Sequence, residues 1–221
     1  MPKMVMPPNK RVGEIFAEAN RYLKAGLPER AMEYYDKAIS MAPKWSFPWF
    51  NKGITYSKLG DYERALECFD RAISLKSKHI EFWINKAGAL VNLKRLDEAL
   101  DVTEATINNN PKSIFGYIAK GEVLGRMGEY DKAMELFDHV LSIKPKNSFA
   151  WTGKSAALGK QGKLDEALGC VEQALKSDKR NANAWYNKGE ILEKLNNLTE
   201  ANKCYEKAKK INPNIVVEAH W

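Results

Sequence analysis

A period of 34 residues runs through the chain and constrains its fold more than any other feature. An aromatic residue recurs at this interval five times, and Ile15 stands one period before the first of them. The recurring residues are Trp49, Trp83, Tyr117, Trp151 and Trp185. Because the register never slips, the chain divides into six repeats: 12–45, 46–79, 80–113, 114–147, 148–181 and 182–215. Fixed periods of about 20 to 50 residues are typical of repeat proteins, so we expect a solenoid.

Two apolar stripes predict two helices in each repeat. Counting the first residue of each repeat as position 1, positions 4, 8 and 11 carry apolar or small residues at helical spacing. Position 20 is alanine in all six repeats and belongs to a second stripe with positions 17, 24 and 27. Between the stripes, position 15 is glycine in four repeats, with Lys94 and Asn196 in the others, as expected where a helix ends. Proline at position 32 in four repeats is predicted to end the second helix.

This pattern resembles the tetratricopeptide repeat (TPR) family, whose unit prefers Trp, Gly, Tyr, Ala, Phe, Ala and Pro at positions 4, 8, 11, 20, 24, 27 and 32. The resemblance covers residues 12–215 and implies an all-α fold, a right-handed α-solenoid (superhelix) of six helix-turn-helix TPR units. Residues 1–11 are then an N-terminal extension, and residues 216–221 a C-terminal tail packed loosely on the last helix. Position 7 departs from the family's leucine, and we expect the ammonium groups of its lysines in water. These are Lys52, Lys86, Lys120, Lys154 and Lys188.

The composition of the chain bears on its cellular location and on the charge of its partners. With 44% hydrophobic and 29% charged residues it is predicted to be globular, and no apolar run is long enough to cross a membrane. The chain starts without the apolar segment of a secretory signal, so we expect a cytoplasmic protein. Its three cysteines all stand at position 23 and are predicted to be structural. A net charge of +7 favours acidic partners without requiring nucleic acid.

The sequence offers no set of residues for chemistry. His79, His139 and His220 each lack a second ligand three or four residues away, so no metal site is predicted. No glycine-rich phosphate loop and no nucleophile elbow occur in the chain. We therefore predict neither enzyme activity nor a cofactor. The sequon at Asn197 is read as a helix cap rather than a glycosylation site.

The resemblance further implies that the first helix of each repeat lines a concave groove facing a bound peptide. Positions 2 and 5 supply its predicted floor: Phe16, Phe47, Phe50, Ile84, Phe115, Ile118, Phe149 and Tyr186. Positions 13 and 33 supply its predicted basic rims: Lys24, Lys58, Arg126, Lys160, Lys194, Lys44, Lys78, Lys112, Lys146 and Arg180. Cations are also favoured at helix C-terminal ends without any ligand, so a structural role for the rims stays open.

Two functions from different classes fit this surface. The leading hypothesis is a scaffold, monomeric or weakly self-associating, that binds a peptide or helical segment of another protein with acidic flanks. The alternative is nucleic-acid or polyanion binding, with lysine rows on phosphates and aromatic residues stacking on bases. The carboxylate clamp of some co-chaperone relatives is matched at only two of five positions, and Glu81 would repel a carboxylate there.

Overall fold

A computed structural model describes residues 7–213 and 215 of the chain. Within those residues the fold is all-α, with twelve helices and no strand. The helices are α1 (Lys10–Lys24), α2 (Pro28–Met41), α3 (Ser46–Lys58), α4 (Tyr62–Leu75), α5 (Ile80–Asn92), α6 (Leu96–Asn109), α7 (Ile114–Arg126), α8 (Tyr130–Ile143), α9 (Ser148–Lys160), α10 (Leu164–Ser177), α11 (Ala182–Lys194) and α12 (Leu198–Ile211). The predicted C-terminal tail, residues 216–221, lies outside the described residues.

Every repeat folds into one helix pair with the same internal boundaries. The first helix spans positions 1–13 and the second spans positions 17–30, except that α1 starts two residues earlier, at Lys10. The predicted proline stop is unnecessary, because α4 and α10 end at position 30 although Ser77 and Lys179 replace proline at position 32. Asn197 caps α12 as expected, its side chain accepting from the Glu200 N–H.

The turn inside each repeat requires a left-handed residue at position 15. Gly26, Gly60, Gly128 and Gly162 all have a positive φ there, between 74° and 84°. Lys94 and Asn196 adopt the same conformation, with φ values of 60° and 62°. The turn geometry is therefore kept where glycine is absent, at a steric cost that is greater for lysine than for asparagine.

Small residues at positions 8 and 20 let the two helices of a repeat approach closely. A Cβ atom on Gly53 would lie 2.6 Å from the Phe69 ring, and one on Gly121 would lie 2.8 Å from the Phe137 ring. The alanines at position 20 are all buried. The predicted stripes thus meet inside each pair, and in the three repeats with glycine at position 8 an aromatic ring at position 24 fills the space that glycine leaves.

The tryptophans at position 4 tie four of the repeats to the turn before them. The indole Nε1 atoms of Trp83, Trp151 and Trp185 donate to backbone carbonyls six residues earlier, over 2.6, 2.8 and 2.9 Å. Trp49 makes the same bond to Pro43 over 3.4 Å. The 34-residue signal therefore marks a hydrogen bond as well as a packing site.

The chain divides into two compact parts between Pro111 and Lys112. We call the described residues 7–111 the N-terminal half and the described residues from 112 onward the C-terminal half. In the N-terminal half, consecutive helices pack against one another and α3 also contacts α5. In the C-terminal half, α7 contacts α9 and α9 contacts α11, so the first helices of three repeats lie side by side.

Candidate protein-interaction groove

The predicted floor residues of the N-terminal half are half-buried in an aromatic cluster. The centroid of the Phe16 ring lies 4.8 Å from that of Trp45 and 5.9 Å from that of Tyr35. The centroid of the Phe50 ring lies 4.6 Å from that of Phe82, which is fully buried. These rings support one another, so they serve folding as well as any ligand.

Phe82 holds this cluster together. Its ring also lies 5.7 Å from that of Phe47 and 5.0 Å from that of His79, which stacks on it. Ile84, the remaining predicted floor residue of this half, is half-buried. Sequence analysis missed Phe82, although a large ring at position 3, where the following repeats have Gly116, Ala150 and Ala184, was a visible signal.

In the C-terminal half, the four predicted floor residues separate into two kinds. Phe115 and Phe149 at position 2 are exposed, with 54% and 55% of their surface open to solvent. Ile118 and Tyr186 at position 5 are buried, at 7% and 3%. The centroids of the Tyr186 and Tyr205 rings lie 5.2 Å apart. Ile118 and Tyr186 therefore belong to the core and cannot present a side chain to a ligand.

Helices α7, α9 and α11 enclose a cleft beside Phe149. About 370 Å³ of empty space, open to solvent, is lined by Glu122, Phe149, Thr152, Gly153, Ala156, Asn183 and Asn187. We call this space the Glu122 cleft. Its lining combines an aromatic ring, one carboxylate and side-chain amides, and it contains no basic residue.

A polar network underlies the Glu122 cleft. Asn181 caps α11 and donates to the hydroxyls of Ser148 at 2.8 Å and Thr152 at 3.1 Å. Asn187, only 4% exposed, donates through Nδ2 to the backbone carbonyl of Thr152 at 3.3 Å. The Oδ1 atom of Asn187 is buried and accepts no hydrogen bond from the described residues. Sequence analysis did not single out Asn187, because one asparagine at position 6 carries no signal by itself.

Glu122 lines the cleft and is exposed to solvent. Its carboxylate makes no hydrogen bond or ion pair with any residue that the structure describes. Protein atoms around the carboxyl displace water and raise its pKa to about 7, and the charge of Arg126 opposes this only in part. The side chain still meets solvent, and that water limits how far the pKa can rise.

A second cleft, between α9 and α11, is lined by residues of both charges. Glu190 lies there with Lys160 and Lys194. Desolvation raises the pKa of Glu190, and the two lysines oppose that rise. Lys194 also donates to the Gly159 carbonyl at 2.9 Å. These two rim lysines therefore offset a groove carboxylate, which weakens their attraction for an acidic ligand.

The predicted basic rims and the lysines at position 7 differ in how free their charges are. All ten rim residues are exposed. The position-7 lysines, however, do not simply extend into water. Lys52, Lys86, Lys154 and Lys188 pair with the acidic residue at position 25 of the preceding repeat, over 2.5 to 2.9 Å. Lysines committed to these pairs hold neighbouring repeats together and are less available to phosphate.

The remaining predictions concern the cysteines, the metal-ligating residue types and the apolar helices. Cys68, Cys170 and Cys204 are free thiols. Over residues 7–213 and 215, no group of three His, Cys, Asp or Glu side chains is placed to hold a metal ion. In the same residues, no helix has the length and apolar character needed to cross a bilayer.

These features define an α-helical repeat protein built from helix-turn-helix pairs. Models described as tetratricopeptide repeat match residues 17–44, 47–79, 116–147 and 154–214. The chain belongs to the tetratricopeptide repeat family. The third repeat lies outside these matches, yet α5 and α6 begin and end at the same repeat positions as the other pairs. A search of curated proteins finds no match.

Solved structures agree on the fold. A tetratricopeptide repeat protein from Parabacteroides merdae superposes with a TM-score of 0.84 at 20% identity, covering 95% of this chain and 82% of its own. TTC0263, a TPR protein from Thermus thermophilus, gives 0.69 at 20% identity, covering 82% and 99%. YrrB, described as a TPR protein with an unusual peptide-binding site, gives 0.51 at 23% identity, covering 83% and 94%. The family's fold is that of a protein-interaction scaffold.

Proposed function

We propose that this chain binds a peptide or helical segment of another protein, and that the first helices of the C-terminal half carry the binding site. The observation behind this is the pair of exposed rings, Phe115 and Phe149, on helices next to the Glu122 cleft. Exposed aromatic residues beside a cleft with polar groups are typical of binding surfaces. The similar protein YrrB is described as having a peptide-binding site, which supports the class of ligand.

The described ion pairs favour this proposal over polyanion binding. The position-7 lysines Lys52, Lys86, Lys154 and Lys188 are held by carboxylates. A polyanion complex would also lose affinity steeply as salt rises, whereas a complex anchored by Phe115 and Phe149 would lose less.

A displayed peptide library selected on the immobilised chain tests the proposal. We expect recovered peptides to bind the intact chain, and to bind the Phe115→Ala/Phe149→Ala variant at least about tenfold more weakly. Aromatic anchors often contribute about 1.4 kcal/mol or more at an interface, which corresponds to a tenfold change in affinity. The matched control is Ile143→Ala/Leu198→Ala, which removes two side chains that are 53% and 55% exposed elsewhere in the same half.

The outcome divides the two functions. Equal binding to the groove variant and the control would contradict the proposal. A single-stranded oligonucleotide that binds at low salt and dissociates at high salt, while no peptide is recovered, would support the polyanion alternative. Circular dichroism of both variants should match that of the intact chain, because the four side chains are exposed.

A further inference from the structure

We propose that the Glu122 cleft receives a lysine or arginine side chain of the partner protein. This inference rests on the proposed function and specifies the chemistry of the ligand. The cleft would seat the cationic group against the Glu122 carboxylate, with the Phe149 ring packed on the aliphatic stem.

The cleft has acceptors that no group of the described residues satisfies. The carboxylate of Glu122 has no partner among the described residues, and the buried Oδ1 of Asn187 accepts nothing. The Thr152 hydroxyl is already used, because it donates to the Ser148 carbonyl at 2.7 Å and accepts from Asn181. A buried acceptor without a donor costs about 1–3 kcal/mol, so a ligand that brings N–H groups relieves this cost.

The charge of the cleft selects among donors. No basic residue lines it, while the neighbouring cleft pairs Glu190 with Lys160 and Lys194. A neutral amide would satisfy Asn187 but leave Glu122 uncompensated. Ammonium and guanidinium groups supply both N–H donors and the opposite charge, and charge-assisted hydrogen bonds are about twice as strong as neutral ones.

Phe149 makes the cleft suited to a long side chain. Lysine and arginine carry an aliphatic stem that packs on apolar surface while the charged end reaches a polar partner. A cation near an aromatic face gains about 0.5–2 kcal/mol more. The exposed Phe149 ring and the Glu122 carboxylate line one space, so a single side chain can meet both.

The position of Phe115 predicts the neighbouring residue of the ligand. Phe115 and Glu122 are seven residues apart on α7, which places them on one face about 10.5 Å apart along the helix axis. A peptide in the polyproline II conformation advances about 3.1 Å per residue and brings every third side chain to the same side. The ligand is therefore expected to carry an apolar residue about three positions from its basic residue, with the apolar side chain on Phe115.

We expect the Glu122 carboxylate to contribute nothing to holding the fold. Desolvation disfavours its ionised form in the folded state, and Arg126, one turn further along α7, opposes this only in part. Glutamine at this position would keep the shape and remove that cost. A carboxylate that lowers stability and faces an open cleft is what a cation-binding site requires.

Blocked arginine, N-acetyl-arginine methylamide, provides a probe that needs no knowledge of the partner. Blocked citrulline is the matched control probe, since it has nearly the same shape and no charge. We would titrate each into the intact chain labelled with ¹⁵N-asparagine and follow the side-chain amide signal of Asn187, assigned by its loss in Asn187→Ala. We expect a saturable shift with arginine and at least about tenfold weaker binding with citrulline, as for the loss of a charge-assisted bond.

Two variants make the result specific to Glu122. Glu122→Gln should abolish the preference for arginine over citrulline. Glu135→Gln, which removes an exposed carboxylate on α8 outside the cleft, should leave the preference intact. Equal binding of the two probes to the intact chain, or an unchanged preference in Glu122→Gln, would overturn the inference.

The probe separates this inference from the proposed function. If selected peptides depend on Phe115 and Phe149 while blocked arginine does not bind, the groove binds peptides but the cleft does not take a cation. If blocked arginine binds and no peptide is recovered, the cleft has the stated chemistry and the peptide proposal is wrong.

Discussion

Phenylalanines occupy repeat position 2 in both halves, but their surroundings differ. In the N-terminal half, Phe47 meets Phe82, which the next repeat supplies at position 3. In the C-terminal half, the residues at that position after Phe115 and Phe149 are Ala150 and Ala184, both fully buried. Alanine offers no ring to lie against, so Phe115 and Phe149 remain exposed. The same residue type at the same position is thus structural in one half and available for binding in the other.

Removing the Phe82 ring is expected to have the largest effect on the difference between the two halves. Phe82→Ala should lower the free energy of unfolding by about 3–5 kcal/mol, because it leaves a cavity under Phe47 and Phe50. Phe149→Ala should change it by less than about 0.5 kcal/mol, since that ring is exposed. Urea unfolding followed by circular dichroism measures both. Similar losses in the two variants would show that Phe149 is also part of the core.

We expect the Glu122 carboxyl to give the C-terminal half a pH-dependent stability. Its pKa is raised above that of the unfolded chain, so ionisation is harder in the folded state. The folded protein therefore loses stability relative to Glu122→Gln as pH rises from about 4.5 to about 7, and the difference is constant above that. Arg126 on α7 is the charged neighbour that opposes the effect, and the lining residues of α9 and α11 are uncharged.

Melting temperatures at pH 4, 6 and 8 check this prediction. We expect Glu122→Gln and the intact chain to melt together at pH 4, and the variant to melt higher at pH 8. The effect should be smaller than that of Phe82→Ala, because solvent reaches the Glu122 side chain. Glu135→Gln is the control and should show no such trend. A variant that melts lower at pH 8 would mean that the carboxylate stabilises the fold.

Substitutions at the left-handed position 15 are expected to change stability least, and by different amounts in the two halves. Lys94→Gly should stabilise the N-terminal half by about 0.5–1 kcal/mol, because glycine adopts a positive φ without the steric cost that lysine bears. Asn196→Gly in the C-terminal half should give less, since asparagine tolerates this conformation. Thermal unfolding of both variants measures the difference, and an equal gain would contradict the steric explanation.

The exposure of some predicted floor residues followed from the sequence, and that of others did not. Position 2 was correctly placed at the surface for Phe115 and Phe149, because a 34-residue period carries a residue to the same place in each repeat. The period does not show which side chain of a neighbouring helix a given residue contacts. Tyr186 was assigned to the floor, yet it packs on Tyr205 of the following helix. The peptide-binding role of the floor and of the basic rims stays a prediction.

The sequence by itself determined the six helix pairs and the fold class, since helical periodicity and turn residues are local and act through neighbouring backbone. Only the tertiary structure decided which side chains are available. Burial of Phe50, pairing of Lys52 with Asp36 and the isolation of Glu122 each depend on atoms contributed by another helix. Those contacts arise from packing across repeats, and packing depends on the size and charge of both partners. A repeat pattern states where a residue stands, and the structure states what it meets there.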